Sequence, residues 1–132
     1  MDTFKTHGAF SWSELMTSDP QAASEFYGSL FGWTVSEMDM GPAGTYRVAK
    51  VGDTSICGIQ ATPPEAGQMP PMWGSYVTVD DVDATVAKCK ALGGKVCMEP
   101  MDVPTVGRMA TLQDPQGAMI NVITYAMEQG KS

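Results

Sequence analysis

Short runs of alternating apolar and polar residues fill most of the chain, interrupted by two stretches whose apolar positions recur at helical spacing. In the first half, Ser11–Met16, Thr34–Met38, Tyr46–Val51 and Ile56–Gln60 read as strands. In the second half the strands are Ser75–Val79, Lys95–Met98, Arg108–Leu112 and Ala118–Tyr125, separated like the first set by Gly, Pro and Asp turns. A helix follows the first strand of each half. Ala23, Phe26, Tyr27 and Leu30 share a face of the first helix, which Asp19 opens as N-cap, Pro20 continues in the position that needs no donor, and Gly32 closes. Val82, Val86 and Cys89 with Ala84, Ala87 and Ala91 form the second; Asp80 reads as its N-cap, and Gly93-Gly94 stop it by supplying left-handed backbone.

The two halves are copies of one plan. Laid over each other, Trp12 falls on Trp73, Thr17 on Thr78, Asp19 on Asp80, Gly32 on Gly93, Arg47 on Arg108 and Asp53 on Asp114. Each half is therefore a β-α-β-β-β module, about 8–60 and 73–126, within a single domain spanning 1–132. The connector Ala61–Met72, with four prolines and a glycine, is stiff and irregular. A single module would leave one sheet face uncovered, so two must pair, in one chain or across a dimer. The fold class is α+β.

Composition narrows the partners. The chain has 132 residues and carries 15 acidic against 8 basic side chains, a net charge of −7 that repels phosphate backbones and argues against nucleic acid. No apolar run approaches the ~18 residues of a membrane span, and Met1–Gly8 shows no secretory pattern; the expectation is a cytoplasmic protein with no membrane partner. Cys57, Cys89 and Cys97 form no C-x-x-C pair and read as reduced, mostly buried thiols.

Several stretches together carry a family resemblance: Trp12-Ser-Glu-Leu-Met-Thr-Ser-Asp19, Phe26-Tyr-Gly-Ser-Leu-Phe-Gly-Trp33, Val77-Thr-Val-Asp-Asp-Val-Asp-Ala84, Leu92-Gly-Gly94 and Asp114-Pro-Gln-Gly117. With them the chain resembles the vicinal oxygen chelate superfamily of glyoxalase I, bleomycin-resistance proteins, extradiol dioxygenases and methylmalonyl-CoA epimerase. The resemblance implies two βαβββ modules paired into a curved eight-stranded mixed sheet around a cavity, and commonly a homodimer. It also implies a divalent metal held by His, Glu or Gln from the first and fourth strands of each module. In this sequence those positions hold Trp12, Gly74 and Asn121, and the remaining one falls at Cys57–Ile59, where there is no acid. Indole, glycine and amide do not hold an octahedral ion as imidazole and carboxylate do. The only histidine, His7, precedes the first strand and reads as a solvated residue. The expectation is a protein without a metal cofactor and without metal-dependent glyoxalase or dioxygenase activity.

What remains is a candidate binding surface. Strand alternation puts Glu14 and Met16 on the face of Trp12, Tyr76 and Thr78 on that of Gly74, and Met119, Asn121 and Ile123 on one face of the last strand. Trp12, Glu14, Tyr76, Met119 and Asn121 are the ligand-binding candidates: aromatic and thioether walls with a few polar groups suit a flat, apolar or aromatic small molecule, although such residues also fill cores. Glu14 has two readings. Desolvated in an apolar enclosure, its pKa rises and it serves as general base or polar anchor; at the rim, it pairs with Arg47 or Arg108. Cys57 has no base near it in sequence and reads as a buried thiol, not a nucleophile. Pro100–Pro104 reads as an irregular loop at a cavity mouth. Three functions compete: a metal-free carrier or sequestering protein of the bleomycin-resistance kind; a lyase, isomerase or dioxygenase using Glu14 or an atypical metal site; and a non-catalytic subunit that docks a partner peptide.

Overall fold

A computed structural model of the chain describes residues 1–39, 45–62, 69–103 and 106–126. Among these residues eight strands and two helices follow one another as β-α-β-β-β, twice, which is the α+β class expected. They group into two compact units, Trp12–Gly74 and a second made of Met1–Ser11 with Ser75–Ser132. No helix among the described residues is long and apolar enough to cross a membrane.

The first unit holds β1 (Phe10–Thr17), α1 (Pro20–Phe31), β2 (Thr34–Asp39), β3 (Thr45–Val51) and β4 (Thr54–Ala61), its strands ordered β2-β3-β4-β1. β1 runs parallel to β4, with Ser13 opposite Cys57, Glu14 opposite Gly58 and Met16 opposite Gln60, while the other pairs are antiparallel. The α1 punctuation is as the sequence reads. Asp19 Oδ1 accepts the Ala22 N–H at 3.0 Å, Pro20 opens the first turn, and Gly32 takes φ 77° at the C-cap. Leu15, Ala49, Cys57 and Ile59 are buried in this unit.

The second unit repeats the plan with β5 (Met72–Thr78, its first three residues grouping with the first unit), α2 (Val82–Ala91), β6 (Lys95–Val103), β7 (Gly107–Gln113) and β8 (Met119–Tyr125), ordered β5-β8-β7-β6. Val82 and Val86 of α2 pack with Val79, Ala110, Leu112 and Val122, each contributing about 1.5–3 kcal/mol by burial, less for the alanine. The cap differs from expectation by one residue. Asp81, not Asp80, receives the Ala84 N–H, at 3.1 Å, while the Asp80 N–H donates to His7 Nδ1 at 2.9 Å. His7 is thus engaged in structure, not merely solvated. Arg108 on β7 binds both Asp83 oxygens, at 2.8 and 3.0 Å, and fastens α2 to the sheet; the guanidinium holds the Asp83 carboxyl below its ordinary range.

Two further expectations change. Pro100, Met101 and Val103 lie in β6 instead of forming a loop; Pro104 is outside the described residues. A proline fits there because β6 is an edge strand and its pairing with β7 shifts register between Met98 and Met101, leaving no ladder bond to lose. The connector Ala61–Met72 lies partly outside the described residues, with Ala61 ending β4 and Met72 opening β5.

The Asp114-Pro-Gln-Gly117 motif is a turn built for backbone satisfaction. Asp114 Oδ1 accepts the N–H groups of Gln116 at 2.9 Å and Ala118 at 3.0 Å, and Gly117 takes φ 104°. The residues before β1 also have defined work. Thr78 Oγ1 donates to Thr3 O at 2.7 Å, Gly8 N–H to Thr78 O at 2.7 Å, and the Phe4 ring meets Tyr125 edge-on at 5.0 Å.

Candidate ligand-binding site

The site forms on the face of the first unit's sheet that points away from α1. Alternation along β1, β3 and β4 puts Ser13, Arg47, Cys57 and Ile59 toward the helix, and Trp12, Glu14, Tyr46, Gly58 and Gln60 on the other side. Arg47 marks the helix side, reaching Gln21 of α1 at 3.3 Å and Glu37 at 3.6 Å.

At the centre is Glu14, 7% exposed. Tyr46 Oη donates to Glu14 Oε2 at 2.8 Å and Gln60 Nε2 donates to Glu14 Oε1 at 2.8 Å. Trp12 Nε1 in turn donates to Tyr46 Oη at 3.3 Å. A buried carboxylate stripped of water costs several kcal/mol unless donors replace it, and this chain of indole, phenol and amide supplies them. Of the two readings of Glu14, the rim ion pair does not form: Arg47 lies on the helix side, and Arg108 is taken by Asp83 and Asp102.

Gly58 makes the arrangement possible. A side-chain Cβ at that position would overlap Tyr46 Oη, fall 2.5 Å from Tyr46 Cζ and lie 3.0 Å from Glu14 Oε2. With hydrogen there instead, the Tyr46 ring lies over the β4 backbone and its hydroxyl reaches Glu14. Burial, then the neighbouring Glu14 charge, push the Tyr46 phenol far above its ordinary range, so it stays a donor. The same two causes raise the Cys57 thiol, which keeps it protonated and unsuited to nucleophilic attack.

The other candidates belong to the second unit. Tyr76 is buried on β5 opposite Asn121 on β8. The Asn121 amide is tied down on both sides: Oδ1 accepts from Thr111 Oγ1 at 2.6 Å and Nδ2 donates to Ser75 O at 3.3 Å. Met119, 44% exposed, sits at the start of β8 opposite Gln113. The structure thus brings Trp12 together with Glu14, and Tyr76 together with Asn121. It adds Tyr46, Gly58 and Gln60, which sequence reasoning missed; the one sequence signal was a glycine within the Cys57–Ile59 slot where an acid was sought.

A concavity lies on the helix side of the same unit. It is an open pocket of about 390 Å³ lined by Ser13, Tyr27, Phe31, Trp33, Ile56, Cys57 and Trp73. Its rings pack against one another, Tyr27 stacked with Trp33 at 5.8 Å, and Trp73 Nε1 donates to Tyr27 Oη at 3.2 Å.

The donor set does not fit the divalent metal that this type of module can hold. Trp12 offers an N–H and no lone pair, Gly58 and Gly74 offer no side chain, and the Asn121 amide is committed. Among the described residues, no three His, Cys, Asp or Glu side chains gather as a potential metal cluster.

The chain belongs to the glyoxalase/bleomycin resistance protein/dioxygenase superfamily, whose sequence profile matches residues 9–122. It is 45% identical over 122 residues to CFP32 of Mycobacterium tuberculosis (strain CDC 1551 / Oshkosh), a protein whose name proposes a glyoxylase; 92% of this chain and 46% of that protein are covered. It is 36% identical over 135 residues to the anthracycline biosynthesis protein DnrV of Streptomyces peucetius, covering 93% of this chain and 49% of that protein. The chain therefore spans about half the length of these curated relatives. Among solved structures, it shares its fold with methylmalonyl-CoA epimerase of Mycobacterium tuberculosis, at a TM-score of 0.64 and 16% identity over 95% of this chain and 92% of that one.

Proposed function

We propose that the chain binds a flat, largely aromatic small molecule without a metal ion, using the Trp12 indole as a wall and Glu14 as the polar anchor. The observation that carries this reading is the buried Glu14 carboxylate, gripped at both oxygens by Tyr46 and Gln60 beside Trp12. A sheet face with one oriented polar group among aromatic surface is what an apolar ligand site needs for orientation. The name of DnrV, which places that relative in anthracycline biosynthesis, supports the ligand class, since anthracyclines are fused aromatic ring systems. The unfit donor set supports binding without a metal.

The test is a thermal melt with increasing 1-hydroxyanthraquinone. A ligand that binds the folded state alone raises Tm with concentration, by an amount set by its affinity. Wild type should be stabilised, Trp12→Ala should lose the effect and Trp73→Ala, across the sheet, should keep it. No stabilisation, or loss with Trp73→Ala alone, overturns the reading.

The same carboxylate favours one other reading, an isomerase with Glu14 as general base. Turnover of a carbonyl substrate that Glu14→Gln abolishes would establish that reading over the carrier.

A further inference from the structure

The pocket on the helix side of the first unit lies across the sheet from Glu14, and its lining has a different chemistry. Four aromatic rings wall it: Tyr27 and Phe31 from α1, Trp33 just past the C-cap, and Trp73 from β5. Tyr27 lies nearly parallel to Phe31, at 15°, and to Trp33, at 27°, with centroids 6.1 and 5.8 Å apart; Trp73 stands at 77° to Tyr27 and 82° to Trp33. Two ring walls thus meet near a right angle, and an occupant of the corner meets π faces on two sides. Polar groups are few. The Trp73 N–H is spent on Tyr27 Oη at 3.2 Å, burial raises the Cys57 thiol so that it stays neutral, and Ser13 adds one hydroxyl. No charged side chain is among the described residues that line the pocket.

The field around this pocket favours a cation. Tyr27 and Phe31 belong to the last turns of α1 and Trp33 follows Gly32, so the pocket lies at the helix end where unbonded carbonyls make the macrodipole negative. Nothing basic neutralises that end: the last turn of α1 has no Lys or Arg, whereas the last turn of α2 carries Lys88 and Lys90. The first unit, Trp12–Gly74, holds seven acidic residues against two basic ones, and one of the two, Arg47, is paired with Glu37. We propose that this corner is a second binding site, independent of the Glu14 cluster, for an organic cation of the methylated ammonium class, held by ring faces and the end of α1. Methylation is the deciding feature. A bare ammonium needs acceptors for three N–H groups, which this lining does not supply, whereas a quaternary ammonium has no N–H to satisfy and is held by the faces of aromatic rings.

The experiment compares choline with 3,3-dimethyl-1-butanol, its neutral carbon isostere, by NMR titration of the ¹⁵N-labelled protein. The chain has three tryptophans, each with one indole N–H signal that reports position. With choline, the Trp33 and Trp73 signals should shift saturably while that of Trp12, on the other face of the sheet, remains. Choline should bind at least about fivefold more tightly than the alcohol, the discrimination expected of a cation over ring faces at an open site. Trp73→Leu should bring the choline affinity down to that of the alcohol, and the wild-type comparison stands whether or not the variant folds. Equal affinity for the two probes, or undiminished choline affinity in folded Trp73→Leu, overturns cation selection by the rings. Shifts confined to Trp12, or no indole shift up to about 50 mM choline, overturn the site. Stabilisation by 1-hydroxyanthraquinone should be the same with and without saturating choline; its loss on adding choline would overturn the placement away from Glu14.

Discussion

Replacing Gly58 with alanine perturbs the site through one methyl group. The φ of Gly58 is not in the left-handed region, so the backbone tolerates a side chain and the whole effect is steric. The new Cβ would overlap Tyr46 Oη, lie 2.5 Å from Tyr46 Cζ and 3.0 Å from Glu14 Oε2, so the ring must move off the β4 backbone. Two costs follow. Overpacking a filled space costs about 1–3 kcal/mol, and losing the Tyr46 donor to a buried carboxylate about 1.5–3 kcal/mol. They overlap, because moving the ring relieves the first while incurring the second, and the expected total is about 2–4 kcal/mol. For a chain of this size that lowers Tm by roughly 8–15 °C. The assay is a double-mutant cycle with Tyr46→Ala, measured by denaturant unfolding. With the ring gone, the methyl has room, and Gly58→Ala should cost less than about 0.5 kcal/mol in that background. An equal cost of Gly58→Ala in both backgrounds would refute the claim that Gly58 exists to seat Tyr46.

Other outcomes follow from the same geometry. Because the folded Tyr46 phenol has a raised pKa, the native state holds its proton more tightly than the unfolded chain; its contribution is complete below the free phenol's value of about 10 and is lost as pH rises above it. Tyr46→Phe should therefore lose less stability than wild type between pH 9 and 11 in unfolding titrations, and parallel losses would contradict the shift. At pH 8, Ellman's reagent should modify exposed Cys97 readily and buried Cys57 only after unfolding; rapid native labelling of Cys57 would show the thiol is not held as described. Ile59→Ala, at a position with 0% exposure, should cost about 2–5 kcal/mol in denaturant unfolding, and a cost under about 1 kcal/mol would contradict its place in the core.

The parts of the molecule that were legible in sequence are those governed by local chemistry. Asp19, Pro20 and Gly32 bracket α1 because a cap, a first-turn proline and a left-handed glycine each act within one turn. Glu14 and Trp12 were found on one face because alternation in a strand needs no knowledge of its neighbours. Where two adjacent aspartates competed to cap α2, residue type was silent: Asp81 takes the cap, and the Asp80 amide bonds His7, more than 70 positions away in sequence. Pro100 argued for a loop because edge position and bulge are properties of the sheet, not of the tripeptide around the proline. Tyr46 and Gln60 could not be read as partners of Glu14. Their meeting depends on the parallel register of β1 with β4 and the antiparallel register of β3 with β4, each set by pairing across the fold. Gly58 was visible as an acid that is missing; its role as a floor for the Tyr46 ring appears only with the ring in place.

Calorimetric titration of chelator-treated protein with 1-hydroxyanthraquinone, before and after adding Zn²⁺ or Ni²⁺, tests metal-independent recognition by the Glu14 cluster most directly. Saturable binding with a negative heat-capacity change, the same in the presence and absence of metal, is the expected result. Heat that appears only once a divalent ion is restored, in stoichiometric amount, would contradict it.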